Sequence, residues 1–467
     1  MDTVFNLITI VILVYFFALN ALYILLTLLS MYGIYNYRNL TAYVNYKKLF
    51  HLPLVKPVSI IAPAYNEEAT IVENVESLLS MEYPQFEIIV INDGSSDSTL
   101  DKLINTFDLK MTHRVFRRVL DSQTVRGIYA SPHHSKLVVV DKENGGKADA
   151  LNAGLNVSRY PLFCAIDSDS LLEKDALLKM VRPFLEDPEK TQAAGGVIRL
   201  SNGCRVKSGQ VVSVSLPRNT LARFQIIEYF RAFLGGRLGL SMLRSILIIS
   251  GAFGVFRKDT ALACGGYRTK TIGEDMDLVI RMRKYLHEKQ IPYRMPFIPD
   301  PICWTEAPET LRTLTRQRNR WHRGLVEVLL HNRRLFMNPR YGVTGLFAMP
   351  FYVIFEMMGP FIEFTGYLLF AVSLVLGRIN TPFAILFFLL ALNLGIMLSL
   401  LSILIEEYSL RRYPRLKDVV TIILFAVLEN FVYRQYLAWV RFKAFFDFLQ
   451  GKVGWGEMER KGFKTEN

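Results

Sequence analysis

The feature of this sequence that most constrains its fold is a long apolar run without charge near the N-terminus, residues 4–35. A run of this length crosses a bilayer, which needs about 20 apolar residues. It lacks the basic start and the small-residue cleavage site of a secretory signal peptide. Beyond Tyr341 three more apolar stretches follow, at residues 346–376, 382–405 and 419–440. The sequence therefore predicts an integral, multi-pass protein of the cell membrane.

The positive net charge, +13 at pH 7, raises the question of a nucleic-acid partner. Cytoplasmic loops of membrane proteins collect Lys and Arg, and anionic lipid attracts basic segments beside the spans. The basic residues of this chain cluster beside its apolar stretches, and the sequence has no basic run with interleaved aromatic residues. We therefore expect the lipid bilayer as a partner and no nucleic acid.

The same basic residues predict the orientation of the chain. Arg38, Lys47 and Lys48 follow the first apolar run, which places the N-terminus outside and the following domain in the cytoplasm. The C-terminal tail is basic as well, whereas three simple spans after that domain would put the tail outside. Two explanations stay open: the stretch 346–376 is broken near Gly359–Pro360, or the last stretch does not cross the membrane.

Between the first and second apolar stretches the sequence alternates strand and helix patterns. A β-branched strand at residues 57–62 is followed by an amphipathic helix at 67–80 and a second apolar strand at 87–91. Strand, helix and strand at this spacing form a parallel unit. Further apolar strands at 137–140 and 161–166 continue the series. The predicted fold class is α/β, a doubly wound sheet with helices on both faces.

Polar clusters follow the predicted strands, at the carboxyl ends where ligands bind in open α/β sheets. Asp167 and Asp169 end one strand, and two carboxylates there suit a hard divalent cation that also carries substrate phosphates. The alternative is a solvated turn that caps the next helix. Asp93, in an Asn-Asp-Gly-Ser-Ser loop, is either a hydrogen-bond acceptor for a nucleotide or part of a tight turn.

Two further clusters suit an anionic ligand and an acid–base step. Lys147 follows two glycines at a predicted helix start, where free N–H groups favour a phosphate; a flexible loop with a solvated lysine is the alternative. The pattern is not a Gly-x-x-x-x-Gly-Lys-Ser/Thr loop, so an ATPase is not indicated. Glu274 and Asp275 open another helix, either as stabilisers of its dipole or with one of them as a general base.

A basic helix is predicted before the second apolar stretch, at residues 309–330. It carries Gln317, Arg320 and Trp321 and lacks a clean apolar stripe. Basic residues beside aromatic ones are typical of helices that lie at a membrane surface. Arg320 and Trp321 are either an interfacial anchor pair or ligand contacts, with Arg320 facing a diphosphate and Trp321 stacked on a sugar.

Taken in chain order, these clusters resemble the motifs of inverting family 2 glycosyltransferases. More narrowly, the chain is similar to the membrane-embedded synthases of cellulose, hyaluronan, chitin and poly-N-acetylglucosamine. The resemblance covers about residues 55–323 and implies a GT-A-like doubly wound mixed sheet, flanked by transmembrane and interfacial helices. The matching segments are residues 63–68, Asp93-Gly-Ser, Gly146–Lys147, Asp167-x-Asp169, Glu274–Asp275 and Gln317-x-x-Arg320–Trp321.

The resemblance also implies a role for each residue. It implies Mg²⁺ or Mn²⁺ held by Asp167 and Asp169, and catalysis by Asp275 as the base with Glu274 beside it. The residues implied in donor-nucleotide binding are Asp93, Glu67, Lys147, Asp167 and Arg320. Those implied in acceptor binding are Trp321, Gln317, Ser250 and Gly251, the last two by a looser match.

The implied activity is transfer of a sugar, with inversion, from a nucleotide-sugar (a UDP-sugar) to an acceptor hydroxyl. Repeated transfer would make and extrude an extracellular β-linked polysaccharide. A single-addition transferase acting on a lipid-linked acceptor and an inactive glycan-binding membrane component are the alternatives. The implied partners are the donor and a growing glycan or lipid-linked acceptor. Accessory export or modification proteins are further candidates. The motifs do not specify the sugar or its linkage.

The charged residues inside the apolar stretches are a separate question. Glu356, Glu363, Glu429 and Arg434 either line a glycan path or form ion contacts between helices. The predicted domains are an N-terminal transmembrane helix (1–36), a linker (37–56), a cytoplasmic GT-A domain (57–308, with an insertion at about 102–136), interfacial helices (309–340), a C-terminal transmembrane bundle (341–445) and a basic tail (446–467).

Overall fold

The computed structural model describes residues 2–42, 55–377 and 379–452. Residues 43–54 of the predicted linker and residues 453–467 of the predicted tail lie outside the described part of the chain. The chain divides into two compact units, which are described separately below. As far as they are described, an α/β unit takes in residues 38–217 and 246–307, and a helical unit takes in residues 1–37, 218–245 and 308–457.

The strands, in chain order, are β1 (Val58–Ala64), β2 (Phe86–Asp93), β3 (Lys110–Met111), β4 (Val125–Ala130), β5 (Leu137–Lys142), β6 (Leu162–Ala165), β7 (Leu171–Leu172), β8 (Ala193–Leu200), β9 (Arg205–Lys207), β10 (Gln210–Ser213), β11 (Gly254–Arg257) and β12 (Phe297–Thr305).

The helices are α1 (Asp2–Thr41), α2 (Ile71–Leu79), α3 (Thr99–Phe107), α4 (Lys147–Val157), α5 (Ala176–Glu186), α6 (Thr220–Tyr229), α7 (Leu238–Met242), α8 (Lys258–Ala263), α9 (Glu274–Glu288), α10 (Leu311–His331), α11 (Met349–Phe351), α12 (Gly359–Val375), α13 (Thr381–Ser409), α14 (Leu416–Leu428) and α15 (Tyr433–Leu449). π-Helical turns cover Phe230–Arg237, Thr344–Ala348 and Tyr352–Met357, and short 3₁₀ turns cover Arg333–Leu335 and Pro339–Tyr341.

The α/β unit is built on a ten-stranded sheet with the order β3-β4-β5-β2-β1-β6-β11-β8-β12-β7. Strands β5, β2, β1 and β6 are parallel to one another, whereas β11 is antiparallel to both of its neighbours. Every residue of the four parallel strands is buried. Strands covered on both faces are formed by continuous Val, Ile and Leu runs rather than by alternating patterns. The predicted α/β class with a mixed sheet is confirmed.

The strand register brings the polar loops to one edge of this sheet. Ala64, the last residue of β1, lies opposite Asn92 of β2, and Asp93 lies opposite Lys142 of β5. Strand β6 pairs with β1 as far as Ala165, shortly before the Asp-Ser-Asp segment. Because parallel strands end at the same edge, the loops after β1, β2, β5 and β6 converge there.

Residues 102–136, which the sequence indicated as an insertion, extend the sheet. They contain most of α3 and the strands β3 and β4, and β4 pairs with β5 in antiparallel fashion. The strand pattern was missed because β4 is only partly buried: Gly127 and Ile128 are inside, and its other residues are half-buried or exposed. Strands that are only partly buried carry a weak apolar signal.

The helical unit contains the candidate membrane spans. Among the described residues three helices are long and apolar enough to cross a bilayer: Leu7–Thr41, Thr344–Val375 and Thr381–Ser409. The stretch 419–440 does not form one continuous span, because the chain breaks between α14 and α15. Helix α14 has 13 residues and a length of about 20 Å, against a hydrocarbon core of about 30 Å.

Residues 218–245 belong to the helical unit, although the sequence assigned them to the catalytic domain. Ser30 of α1 donates a 3.0 Å hydrogen bond to the carbonyl of Gly235. A Cβ at Gly239 would lie 2.3 Å from the carbonyl oxygen of Leu26, so only glycine permits this approach to α1. Sequence patterns do not report such pairings, since the contacting residues are about two hundred positions apart.

The charged residues inside the apolar stretches contact other side chains of the helical unit. Glu356 accepts hydrogen bonds from Tyr23 and, at 3.3 Å, from Arg441. Glu429 pairs with Arg231 and accepts a hydrogen bond from a serine of α13. These contacts join separate helices, which is the arrangement expected of interhelical ion contacts. The remaining contacts are Glu363 with Tyr367 and Arg434 with Asn430.

Candidate active site

The end of β2 is tied to the glycine turn that follows β5. The carboxylate of Asp93 accepts hydrogen bonds from the backbone N–H of Gly145, at 3.1 Å, and of Gly146, at 2.7 Å. It also pairs with the ammonium of Lys142, which is fully buried and lies 2.7 Å from Asp149. Asp93 therefore fixes the turn that presents the start of α4.

The turn itself requires glycine. Gly146 has φ +85°, a conformation that residues with a Cβ rarely adopt. It stands directly before Lys147, the first residue of α4. The helix therefore begins where the sequence predicts, and the Asp93 carboxylate holds the backbone of the preceding turn through the N–H groups of Gly145 and Gly146.

Lys147 links the two acidic clusters of the site. Its Nζ lies 2.6 Å from Asp167 Oδ1 and 2.9 Å from Glu274 Oε1. Burial alone would lower the pKa of Lys147, but attraction to Asp167, Glu274 and Asp275 outweighs it and raises the pKa. The side chain is therefore a fixed positive charge between three carboxylates, and not the solvated lysine of the alternative interpretation.

Asp167 and Asp169 occupy the turn after β6. The backbone N–H of Ser170 donates to the carbonyl of Asp167 at 3.1 Å, which closes the turn. The next element is the strand β7, so the pair does not cap a helix. About a third of the Asp167 side chain is exposed. The turn thus holds two carboxylates at the sheet edge, as predicted.

Glu274 and Asp275 open α9 and differ in environment. Glu274 is 4 % exposed and faces Lys147, whereas Asp275 is half-buried. Burial raises the pKa of Glu274, and the ion pair with Lys147 offsets this only in part. Asp275 Oδ2 accepts a 3.0 Å hydrogen bond from the N–H of Gly251. The more accessible Asp275 is the better placed of the two to receive a proton from a ligand.

The Ser250–Gly251 segment closes this side of the site. A Cβ at Gly251 would lie 2.7 Å from Lys147 Nζ and within 3.7 Å of Asp275. Ser250 forms the turn that presents Gly251, since its carbonyl accepts from the N–H of Phe253 at 3.1 Å. The looser match to the acceptor segment therefore lies against the predicted base.

Glu67 lies in the loop after β1 and is 8 % exposed. Its carboxylate accepts a 3.0 Å hydrogen bond from Thr70, at the start of α2, and its N–H donates to Thr99. The neighbouring Asn66 has φ +54° and accepts a hydrogen bond from the N–H of Ser96 at 2.8 Å. These bonds join the loops after β1 and β2.

The structure thus brings the predicted residues of the α/β unit together at one edge of the sheet, with Glu67 in the adjacent loop: Asp93, Lys147, Asp167, Asp169, Ser250, Gly251, Glu274 and Asp275. The other three predicted residues, Gln317, Arg320 and Trp321, lie on α10 of the helical unit. Gln317 is 9 % exposed, and Trp321 is 45 % exposed.

Comparison with known proteins decides the family. A profile of glycosyl transferase family 2 matches residues 59–258, and one of glycosyl transferase family group 2 matches residues 162–400, just over half of the chain. The chain belongs to this family. The motif-based resemblance to family 2 glycosyltransferases is confirmed.

Two curated relatives of this family 2 glycosyltransferase are poly-β-1,6-N-acetyl-D-glucosamine synthases. That of Staphylococcus epidermidis is 31 % identical over 279 residues, 60 % of this chain and 57 % of the relative. That of Staphylococcus aureus strain COL is 29 % identical over 290 residues, 62 % of this chain and 59 % of the relative. The chain therefore spans less than three fifths of the length of these relatives.

A solved structure supports the fold of the family 2 glycosyltransferase. It is the mannosyltransferase PcManGT from Pyrobaculum calidifontis in complex with GDP-Man and Mn²⁺, with a TM-score of 0.52 and 19 % identity. The match covers 89 % of this chain and 99 % of that chain. This similarity shows a shared GT-A-like fold.

The carboxylates at the sheet edge fit a divalent cation. Asp167 and Asp169 supply carboxylate oxygens, the ligands that Mg²⁺ and Mn²⁺ prefer. In residues 2–42, 55–377 and 379–452 no group of three or more His, Cys, Asp or Glu side chains is arranged to hold a metal ion. A cation bound through one or two carboxylates completes its shell with phosphate oxygens and water.

Sequence reasoning missed three residues that support the site. Lys142 neutralises Asp93 and Asp149, and Asn66 joins two loops. Arg318, inside the Gln317–Trp321 motif, is 4 % exposed and contacts both ends of it. The only sequence signal for Lys142 was a lysine at the end of an apolar strand, and Arg318 was one arginine among several on its helix.

Proposed function

We propose that the chain is a membrane-embedded inverting glycosyltransferase that polymerises a sugar from a UDP-sugar and extrudes an extracellular β-linked polysaccharide. The observation that carries the proposal is the position of Lys147 between Asp167 and Glu274, at 2.6 and 2.9 Å. The site then combines a cation for a diphosphate (Lys147), a carboxylate that can hold a metal ion (Asp167) and the acidic pair that begins with Glu274. Each of these groups has a function in transfer from a nucleotide-sugar: charge stabilisation on the leaving diphosphate and proton removal from the acceptor.

On the donor side, Asp167 and Asp169 would hold Mg²⁺ or Mn²⁺. When bound, such an ion stabilises the negative charge that develops on the leaving diphosphate. Lys147 adds a second positive charge on the same side. Asp93 and Glu67, with the glycine turn and the loops they fix, would bind the nucleotide, and Arg320 is assigned to the diphosphate.

On the acceptor side, Asp275 would act as the general base. It takes the proton of the acceptor hydroxyl as that oxygen attacks the anomeric carbon, and the bond from this carbon to the diphosphate breaks in the same step. One displacement without a covalent sugar–enzyme intermediate inverts the anomeric configuration. Glu274, buried and paired with Lys147, would hold that lysine in place beside Asp275.

Acceptor binding is assigned to Gln317 and Trp321 and, by the looser match, to Ser250 and Gly251. Trp321 offers an aromatic face with 45 % of its side chain exposed, and sugar rings pack on such faces. Gly251 lies against Asp275, where an acceptor hydroxyl must arrive for proton transfer.

The proposed topology places the catalytic unit in the cytoplasm, where nucleotide-sugars are made, and the N-terminus outside. Three spans rather than four then leave the C-terminus inside. This agrees with the basic residues Arg441, Lys443 and Lys452 near the end of the described chain. With α14 too short to cross the bilayer, the proposed topology has two spans after the domain, and a basic tail on the inside fits it.

UDP-N-acetylglucosamine is the first donor to test, because the curated relatives are poly-β-1,6-N-acetyl-D-glucosamine synthases. The assay incubates purified protein in lipid nanodiscs with single UDP-sugars and with GDP-mannose, with Mg²⁺ or Mn²⁺. It measures nucleotide release, product length and linkage. Long β-linked products are expected.

The alternatives give different outcomes in the same assay. Products that never exceed one added sugar would indicate a single-addition transferase. No release from any donor by the wild-type chain would favour an inactive glycan-binding component. The intact acidic residues Asp167, Asp169 and Asp275 weigh against the inactive component.

A further inference from the structure

The Gln317–Trp321 motif contains an arginine, Arg318, to which the proposed function assigns no role. Arg318 is 4 % exposed and lies on α10 inside the helical unit. Arginine is almost never fully buried without a charged partner. We therefore expect Arg318 to have a charged partner and to form further hydrogen bonds inside the helical unit.

The partner of Arg318 is Glu228 on α6. The guanidinium Nη2 lies 2.9 Å from Glu228 Oε2, and the hydroxyl of Tyr433, at the start of α15, donates to the same oxygen at 2.9 Å. Burial alone would raise the pKa of Glu228, but the contacts with Arg318 and Tyr433 outweigh it and lower the pKa. Both members of the pair are charged, and the pair connects α10 to α6 and α15.

The same guanidinium contacts the two motif residues assigned to the acceptor. Its Nη1 donates a hydrogen bond to Gln317 Oε1, and its centre lies 4.2 Å from the centroid of the Trp321 ring system. Arg318 and Trp321 are three residues apart on a helix, so their side chains lie on the same face. The planar guanidinium covers part of the indole, and nearly half of the Trp321 side chain stays exposed.

We propose that Arg318, held by Glu228, is a positioning residue that fixes the side chains of Gln317 and Trp321 in the orientation that binds the acceptor glycan. The inference rests on the proposed function, since it takes Gln317 and Trp321 as acceptor contacts. The competing explanation is that the Glu228–Arg318 pair contributes to folding alone.

The first test is Arg318→Lys, with Arg312→Lys as the matched control. Lysine keeps the charge opposite Glu228 but lacks the planar fork that stacks and donates in several directions. Arg312 lies on the same helix and is exposed. For Arg318→Lys we expect the KM for an oligomer of the enzyme's own product to rise between about threefold and about thirtyfold, the size of a lost cation–π contact. The kcat at saturating acceptor and the melting temperature stay close to wild type. An unchanged acceptor KM contradicts the proposal.

The second test exchanges the charges with Glu228→Arg combined with Arg318→Glu. The exchanged pair restores the ion contact between α6 and α10, but a glutamate at position 318 neither stacks on Trp321 nor donates to Gln317. We expect the melting temperature to recover relative to Glu228→Gln while the acceptor KM stays raised. Recovery of the acceptor KM together with stability would mean that the pair has a folding role alone.

A third test is independent of activity. The protein is labelled with 5-fluorotryptophan, and the ¹⁹F signal of Trp321 is assigned with Trp321→Phe, since the sequence has four tryptophans. Arg318→Lys and Glu228→Gln should shift or broaden this signal, Arg312→Lys should not, and Trp304 should stay unchanged in all three. An unaltered Trp321 signal in Arg318→Lys overturns the inference. If the wild-type chain instead releases nucleotide from no donor, the proposed function fails, and the ¹⁹F spectra still decide whether Arg318 positions Trp321.

Discussion

The Nζ of Lys147 lies 2.6 Å from the Oδ1 of Asp167, so the ammonium contacts the carboxylate that is assigned to the metal ion. The two residues come from different strand ends, twenty positions apart. A divalent ion that binds Asp167 must compete with this ammonium. The pairing therefore predicts that metal and nucleotide bind together rather than metal first.

The first prediction concerns Lys147→Met. Removing the ammonium should tighten binding of Mn²⁺ alone, measured by the loss of the free-ion EPR signal on titration. The same change should lower kcat/KM for the donor by about 100-fold or more, the usual effect of losing one stabilising donor to a developing anion. Lys136→Met is the control, because Lys136 is exposed and contacts the ring of Phe86. Mn²⁺ binding that does not change would contradict the competition.

The second prediction separates Asp275 from Glu274. Asp275→Asn should reduce sugar transfer by about 10²–10⁴-fold, the usual contribution of a general base, with little change in donor affinity. Glu274→Gln should weaken donor binding as well, because Lys147 loses one of its two close carboxylates. Initial rates and UDP binding by calorimetry measure the two effects. Wild-type turnover by Asp275→Asn would remove the base assignment.

The third prediction concerns the buried Lys142. Lys142→Met leaves Asp93 and Asp149 buried without their shared counter-ion, and breaking such a pair costs about 3–5 kcal/mol. The loss is measured by guanidinium unfolding followed through the ¹⁹F signal of Trp304 in the 5-fluorotryptophan-labelled protein, since Trp304 lies in the same unit and is 1 % exposed. Lys136→Met again serves as the control, with a loss of about 0.5–1 kcal/mol, the size of its exposed cation–π contact with Phe86.

The strand ends and their acidic residues could be predicted from the sequence because they depend on short local patterns. Asp167 and Asp169 follow an apolar strand directly, and the parallel order of the strands then dictates that the clusters meet. Lys142 and Asp93 were not readable as a pair, since they lie 49 residues apart. Nor was Arg318 with Glu228, which are separated by 90 residues.

The break between α14 and α15 was hidden for a related reason. Residues 429–432 contain Glu429, whose burial is tolerated because Arg231 and Ser399 contact its carboxylate. Those partners lie on other helices, and hydropathy along the chain does not report them. The hydropathy of the stretch 419–440 therefore does not detect the break.

The fourth prediction is the topology itself. Asp2→Cys and Ile379→Cys, introduced singly with Cys264→Ser because Cys264 is only half-buried, should react with a membrane-impermeant maleimide in intact spheroplasts. Gln450→Cys, just after α15, should react only once the membrane is permeabilised. Labelling of Gln450→Cys from outside would mean that α14 and α15 together cross the bilayer after all.

The fifth prediction concerns Gly251→Ala. The added Cβ would lie 2.7 Å from Lys147 Nζ, and the ammonium has little room to move because two carboxylates hold it within 3 Å. Displacing it should therefore reduce kcat/KM by about 10–100-fold, as expected of a catalytic group that moves by about 1 Å, with a melting temperature close to wild type. Gly366→Ala is the control, since the nearest atom to its added Cβ lies at an ordinary 3.7 Å. Equal activity of Gly251→Ala and Gly366→Ala would show that Lys147 tolerates the shift, and that its position between Asp167 and Glu274 is not what limits transfer.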